Sequence, residues 1–228
     1  MLAAWVPLFA AAVGWQPVAA GVEHLHIAEA GVDAELLRFD LGRYRAEVMV
    51  LGADRPRTAA ALREETRATA AVNGGFFDEQ WRPLGLRIMA GKMVIGLRPR
   101  VDWGVLIVQR GRARIVHSRE FRADPAIEQA IQVGPRLVVD GQPMRLKPQA
   151  ARRTAVALDR DGRAMTLVAT HAPADATRLA ELLVRLGFDS ALMLDGGPSS
   201  QLSAALGDLH LDLRGGYAVP DVLLVRPR

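Results

Sequence analysis

The sequence predicts an α+β fold: a single domain with a mixed, largely antiparallel sheet and a few packed helices. Three observations carry this expectation. Short apolar runs bounded by turn residues are far more numerous than helical periodicities. Several neighbouring runs are joined by tight turns. Asp161-Gly162, Asp140-Gly141 and Arg110-Gly111 each sit between two such runs, the pattern of a hairpin. Only two segments carry a convincing helical pattern, so helices pack on the sheet and do not alternate with its strands.

Strands are expected at 36–39, 46–50, 70–72, 84–89, 104–109, 113–117, 136–139, 154–158, 164–169, 191–194 and 222–225. The first helix should run over 59–66, with Thr58 as its N-cap. The second spans about 176–186. There Leu179, Leu182, Leu183 and Leu186 fall on one face, and Gly187 stands where a left-handed C-cap belongs.

Composition narrows the function. The chain has 228 residues, 50% of them hydrophobic, enough for one sizeable core. Its formal charge of +4 comes mostly from arginines scattered along the chain. Arginine suits bidentate capture of phosphate or carboxylate. No basic patch is interleaved with aromatics, so no nucleic-acid partner is expected. The absence of cysteine excludes disulfides, thiolate metal sites and cysteine nucleophiles.

Residues 1–20 read as a signal peptide and 21–228 as the domain proper. Positions 2–20 carry no charge and end in Val18-Ala19-Ala20, a small-residue cleavage pattern. The protein is therefore expected in the periplasm or secreted. No later stretch is long and apolar enough for a membrane span after processing.

A local echo marks the candidate site. Each expected helix is followed by an apolar strand, then a polar residue and two glycines: Asn73-Gly74-Gly75 and Asp195-Gly196-Gly197. Such a pair lets the backbone turn sharply or approach a ligand. Asp195, at the end of a buried strand, needs partners or its pKa rises. Ser199 and Ser200 are nearby donors. Asn73 offers a non-titrating donor and acceptor for hydroxyl groups. Phe77 could stack on a sugar ring, and Asp78 is either a second carboxylate or a turn residue. Arg152 and Arg153 enter a strand before Thr154 and face opposite ways, so one of them could clamp a phosphate. The five histidines show no metal-ligand spacing, and neither a metal nor a cofactor is expected. His24 and His26 share a strand face, and His171 ends the strand that Arg153 and Thr154 pair with. No GxSxG elbow occurs.

Taken in order, Asn73-Gly74-Gly75-Phe76-Phe77-Asp78, Gly134-Pro135-Arg136-Leu137, Arg153-Thr154-Ala155 and Leu194-Asp195-Gly196-Gly197 resemble the signature of phosphodiester glycosidase domains. The resemblance spans about 35–226. Pro198 stands where the family commonly has a third glycine, and Met193 where it often has asparagine. The resemblance implies a hydrolase that cuts the glycosidic bond of a sugar-1-phosphodiester or a related glycan linkage, so the expected partner is a carbohydrate or sugar phosphate. On it, Asp195 is the base or nucleophile. Arg153, with loop amides near Gly74 and Gly196, holds the departing phosphate. Asn73 and Ser199 orient hydroxyls, and Gly75, Phe77, Asp78, Thr154, Gly197 and Ser200 complete the substrate contacts. Two other readings stand beside it. One is a non-catalytic envelope protein binding a glycan or phosphate polymer through the same pocket. The other is a serine hydrolase using Ser199 or Ser200.

Overall fold

The computed structural model describes residues 14–228. Strand is the main regular structure, arranged in three main sheets, and every strand pairing among the described residues is antiparallel. The expected mixed α+β sheet is thus corrected toward a more β-rich fold. Two helices are present: α1 (Ala59–Thr66) and α2 (Ala176–Arg185).

The largest sheet has eight strands, in the order Gln16–Ala19, Val22–Glu29, Val32–Asp40, Ala164–Thr170, Thr154–Leu158, Ser190–Met193, Arg136–Val139 and Gln142–Pro143. Alternation decides what each face covers. Leu36, Val168, Ala155 and Ala191 pack against Leu179, Leu182 and Leu183 of α2. Burying each of those leucines contributes about 1.5–3 kcal/mol. Leu37, Leu167, Val156 and Leu192, one residue along, face the central core.

That core is closed by two five-stranded sheets. One has the order Lys92–Ile95, Arg87–Met89, Gln129–Val133, Gly104–Gln109 and Arg112–His117. The other runs Leu209–Leu213, Leu202–Leu206, Ala70–Asn73, Asp221–Pro227 and Tyr44–Val50. They supply Leu106, Ile131, Val72 and Leu223 to the shared core. Helix α1 covers the outer face of the second with Ala59 and Leu62. It starts where expected, the Thr58 hydroxyl accepting the Ala61 amide at 3.1 Å.

Positions 1–13 of the expected leader lie outside the described residues. Gln16–Ala19 is the edge strand of the large sheet, paired with Val22–Glu29, and Trp15 lies under the Arg38 guanidinium, 3.8 Å from its ring centre. Cleavage after Ala20 would remove that strand. No helix among the described residues is long and apolar enough to cross a membrane.

Candidate active site

The two glycine turns come from different sheets and meet. Asn73 ends the central strand of one sheet, and Asp195 follows Ser190–Met193 of another. The buried Asn73 amide donates from Nδ2 to the Asp195 carbonyl (2.8 Å), and its Oδ1 accepts the Gln201 amide (3.0 Å). The Asp195 amide donates to the Gly74 carbonyl at 3.1 Å. Asn73 thus acts on backbone, locking the two loops together.

Asp195 itself is half-buried. Its Oδ2 accepts the Ser199 hydroxyl at 2.6 Å and its Oδ1 the Gly196 amide at 2.9 Å. Burial pushes its pKa up, with a contribution from the Asp221 charge, against the two hydrogen bonds. Tyr217 places its hydroxyl 3.2 Å from Ser199 Oγ. The Tyr217 ring stands edge-on to Phe77 and Trp81, which stack at 5.1 Å and 13°. Trp81 holds a left-handed φ of 60°, a conformation a bulky residue adopts only where its surroundings impose it. The result is an aromatic shelf beside a carboxylate.

Beneath the Asn73 turn lies a buried ion pair. Arg87 Nε donates to Asp221 Oδ2 at 2.5 Å, with both side chains at most 1% exposed. Arg87 Nη1 also donates to the Leu84, Leu86 and Gln132 carbonyls. Burial raises the Asp221 pKa against the pull of Arg87. Gly74 and Gly75 are glycine for this reason: a Cβ on Gly74 would sit 2.5 Å from Asp221 Cγ, and one on Gly75 would overlap Arg87 Nη2. Their amides face Asp221, not open solvent.

Other expected site residues are placed as follows. Arg153 is buried. It donates to the Ala174 carbonyl (3.0 Å) and to the Gln149 carbonyl, with Nη1 near Met193 Sδ, and it has no carboxylate within 4 Å among the described residues. Its Nη1 lies 3.8 Å from where a Gly196 Cβ would stand. The guanidinium therefore backs the Asp195 loop, with its donors directed at backbone. Thr154 is buried beside it, and its carbonyl accepts the Leu194 amide. Gly197 takes φ +60°, and its amide donates to the Arg152 carbonyl. Asp78 accepts the Gln80 and Arg82 amides and the Arg82 guanidinium, anchoring the loop that carries Trp81. Ser200 Oγ is buried without a partner. Neither serine hydroxyl has a histidine partner among the described residues, which leaves the serine-hydrolase reading without the histidine base of a triad.

Arg87, Trp81, Tyr217 and Asp221 were not among the expected site residues. Arg87 had a sequence signal: it is the one charge between Leu84 and Met89 and so needs a buried partner. Tyr217 had none, lying in a loop far along the chain. Three cavities, of about 340, 430 and 350 Å³, lie elsewhere. The first is lined in part by Gln201 and Arg214.

Fold and site together define an antiparallel β protein with a carboxylate on a glycine loop beside an aromatic shelf. Residues 66–226 match the family described as phosphodiester glycosidase, and the chain belongs to that family. It is 28% identical over 174 residues to YigE of Escherichia coli (strain K12), itself described as uncharacterized. The match covers 71% of this chain and 64% of that relative, so the chain spans just under two thirds of its length. Among solved structures it resembles the zebrafish N-acetylglucosamine-1-phosphodiester alpha-N-acetylglucosaminidase catalytic domain auto-inhibited by its pro-peptide. The TM-score is 0.70 at 18% identity, covering 93% of this chain and 85% of that one. It also resembles a hypothetical protein from Synechocystis (TM-score 0.62, 18% identity, 91% and 62% covered). A third likeness is to a Burkholderia pseudomallei K96243 protein described only provisionally as exported (TM-score 0.64, 14% identity, 90% and 74% covered).

Proposed function

We propose that this protein is a hydrolase of the cell envelope that cuts the glycosidic bond of a sugar-1-phosphodiester or a closely related glycan linkage. One observation carries the reading. In a chain of this family, the half-buried Asp195 carboxylate, its pKa raised by burial, stands beside Ser199, Tyr217 and the Phe77–Trp81 stack.

An aromatic shelf suits the apolar face of a sugar ring. The bond to be broken joins the anomeric carbon to a phosphate oxygen. A phosphate monoester leaves readily at neutral pH, so the reaction needs a nucleophile or base more than an acid. Asp195 takes that part: raised proton affinity makes it a stronger base. Ser199 fixes its orientation. Asn73 works indirectly, by holding the Asp195 backbone. Arg153 supplies positive potential behind Gly196 and holds the Gln149 and Ala174 carbonyls, acting as a positioning residue and not as a direct clamp. Arg152 is half-exposed, with its Nη1 on the Arg214 carbonyl at 2.6 Å and its own carbonyl accepting the Gly197 amide, which makes it a second cation to test for the departing phosphate. Action in the envelope follows from the apolar leader read at 1–20 and from the likeness to a protein described as exported.

The test is Asp195→Asn assayed against a panel of sugar-1-phosphodiesters beside simple glycosides. Turnover should fall about a thousandfold or more, with binding retained. Turnover near wild type removes Asp195 from the chemistry. Binding without turnover by any form of the protein favours the glycan-binding reading, which the aromatic shelf alone would also serve.

A further inference from the structure

Three histidines and two carboxylates converge on one face of the eight-stranded sheet, and nothing in the proposed reaction uses them. His24 and His26 lie on Val22–Glu29, Asp33 and Glu35 on Val32–Asp40, and His171 directly follows Ala164–Thr170. The register makes the convergence. Glu35 pairs with His26 on one side and with Ala169 on the other. Residues two apart share a face, so His24, Asp33 and His171 join them.

The contacts are specific. Glu35 is 5% exposed, and its two oxygens are divided: Oε2 takes His24 Nε2 at 2.6 Å and Oε1 takes His171 Nε2 at 2.9 Å. His26 Nε2 lies 2.9 Å from Asp33 Oδ1, which leaves His26 Nδ1 facing Glu35 Oε1 at 3.9 Å. With Nε2 donating to Asp33, the neutral His26 ring presents a lone pair at Nδ1 toward a carboxylate oxygen. Two electron-rich atoms then face each other with room for a cation between them. The ligand atoms of His26, Glu35 and His171 all lie within 4.8 Å of one another.

We infer that His26 Nδ1, Glu35 Oε1 and His171 Nε2 form a binding site for a divalent transition-metal ion, with zinc as the best fit. Metal–ligand bonds of about 2.0–2.1 Å in tetrahedral geometry place ligand atoms about 3.3 Å apart. The observed 2.9 and 3.9 Å lie on either side of that value, so these two pairs need shifts of tenths of an ångström, and the third pair lies within 4.8 Å. Two imidazoles and one carboxylate suit zinc and its neighbours, whereas calcium and magnesium take all-oxygen shells. The outer groups are those a metal site needs. Asp33 fixes the His26 tautomer from behind, and His24 holds the second oxygen of the ligating carboxylate. In the metal-bound form the neutral His171 ring carries its single proton on Nδ1, so that Nε2 offers a lone pair to the ion. His26 and His171 are exposed, so solvent reaches the metal and a water completes the shell.

The experiment uses the full chain without a histidine tag, stripped with a chelator, titrated with Zn²⁺ by calorimetry and with Co²⁺ by visible absorption. One Zn²⁺ per chain should bind at micromolar affinity or tighter, with low-coordinate ligand-field bands for Co²⁺ and a rise in melting temperature on zinc addition. The double substitution His26→Ala, His171→Ala, at exposed positions that leave the core intact, should weaken binding tenfold or more and abolish the cobalt bands. Asp33→Asn should weaken it by roughly 10–100-fold through the outer shell, while His210→Ala changes nothing. Absence of stoichiometric binding, or a loss below tenfold in the double variant, overturns the site and leaves the cluster a network of ion pairs. None of these readouts depends on Asp195 or on glycosidase activity.

Discussion

The two glycine turns share a sequence pattern and differ in almost every physical respect. At Asn73-Gly74-Gly75 all three residues are buried, and the glycines exist to clear the Arg87–Asp221 pair. At Asp195-Gly196-Gly197 the loop is half-exposed, Gly197 turns with φ +60°, and no atom lies within 4 Å of where its Cβ would be. One turn is a foundation and the other an open edge, where the proposed chemistry would sit. A repeated motif therefore need not repeat a role: burial and the identity of the neighbouring charge decide which half can meet a substrate.

That contrast is open to direct attack. The largest stability effect should come from the foundation. Asp221→Ala leaves Arg87 as an uncompensated buried charge and should cost about 3–5 kcal/mol, read from urea unfolding; a loss below 1 kcal/mol would sink the foundation role. Gly75→Ala forces a methyl group onto Arg87 Nη2 and should cost about 3 kcal/mol. Gly197→Ala at the Asp195 turn meets open space and pays only for its left-handed backbone, about 1 kcal/mol. If those two glycine variants unfold at the same urea concentration, the comparison fails. The smallest effect concerns pH. The Asp195 pKa is raised in the fold, so its favourable contribution is present below the ordinary aspartate range and lost as pH rises through the raised value. Asp195→Asn, which does not titrate, should gain stability relative to the parent as pH rises from 3 to 7. A stability difference that stays flat over that range would show that burial leaves Asp195 untouched.

Much of the scaffold could be read from the sequence because local rules govern it. The Thr58 cap, the apolar face of α2 and the Asp161-Gly162 hairpin depend on neighbours in the chain, and all three stand where expected. Strands such as Gln129–Val133 and Leu202–Leu206 were missed. Their apolar residues are interrupted by Gln132 and Ser203, whose partners are remote: Gln132 binds Arg98 and Ser118, and Ser203 receives Arg63. The candidate site divides the same way. Asp195 with Ser199 was legible because four residues separate them. The shelf was not, since Tyr217 reaches Phe77 and Trp81 only through tertiary packing. The carbonyl partners of Arg153 at Gln149 and Ala174 were not legible either, because backbone acceptors leave no mark in a sequence.

The strand Asp221–Pro227 runs between Ala70–Asn73 and Tyr44–Val50, pairing Val222 with Asn73 and Met49. It behaves as a keystone. Until it slots in, Gly74 lacks its carbonyl acceptor, Arg87 its counter-ion and the middle of one sheet its hydrogen bonds. Joining segments so distant along the chain carries a large loop-closure cost and slows assembly. A protease nick in the loop before Val219 would therefore do more than free an end: it would unlatch the floor on which the Asp195 loop stands.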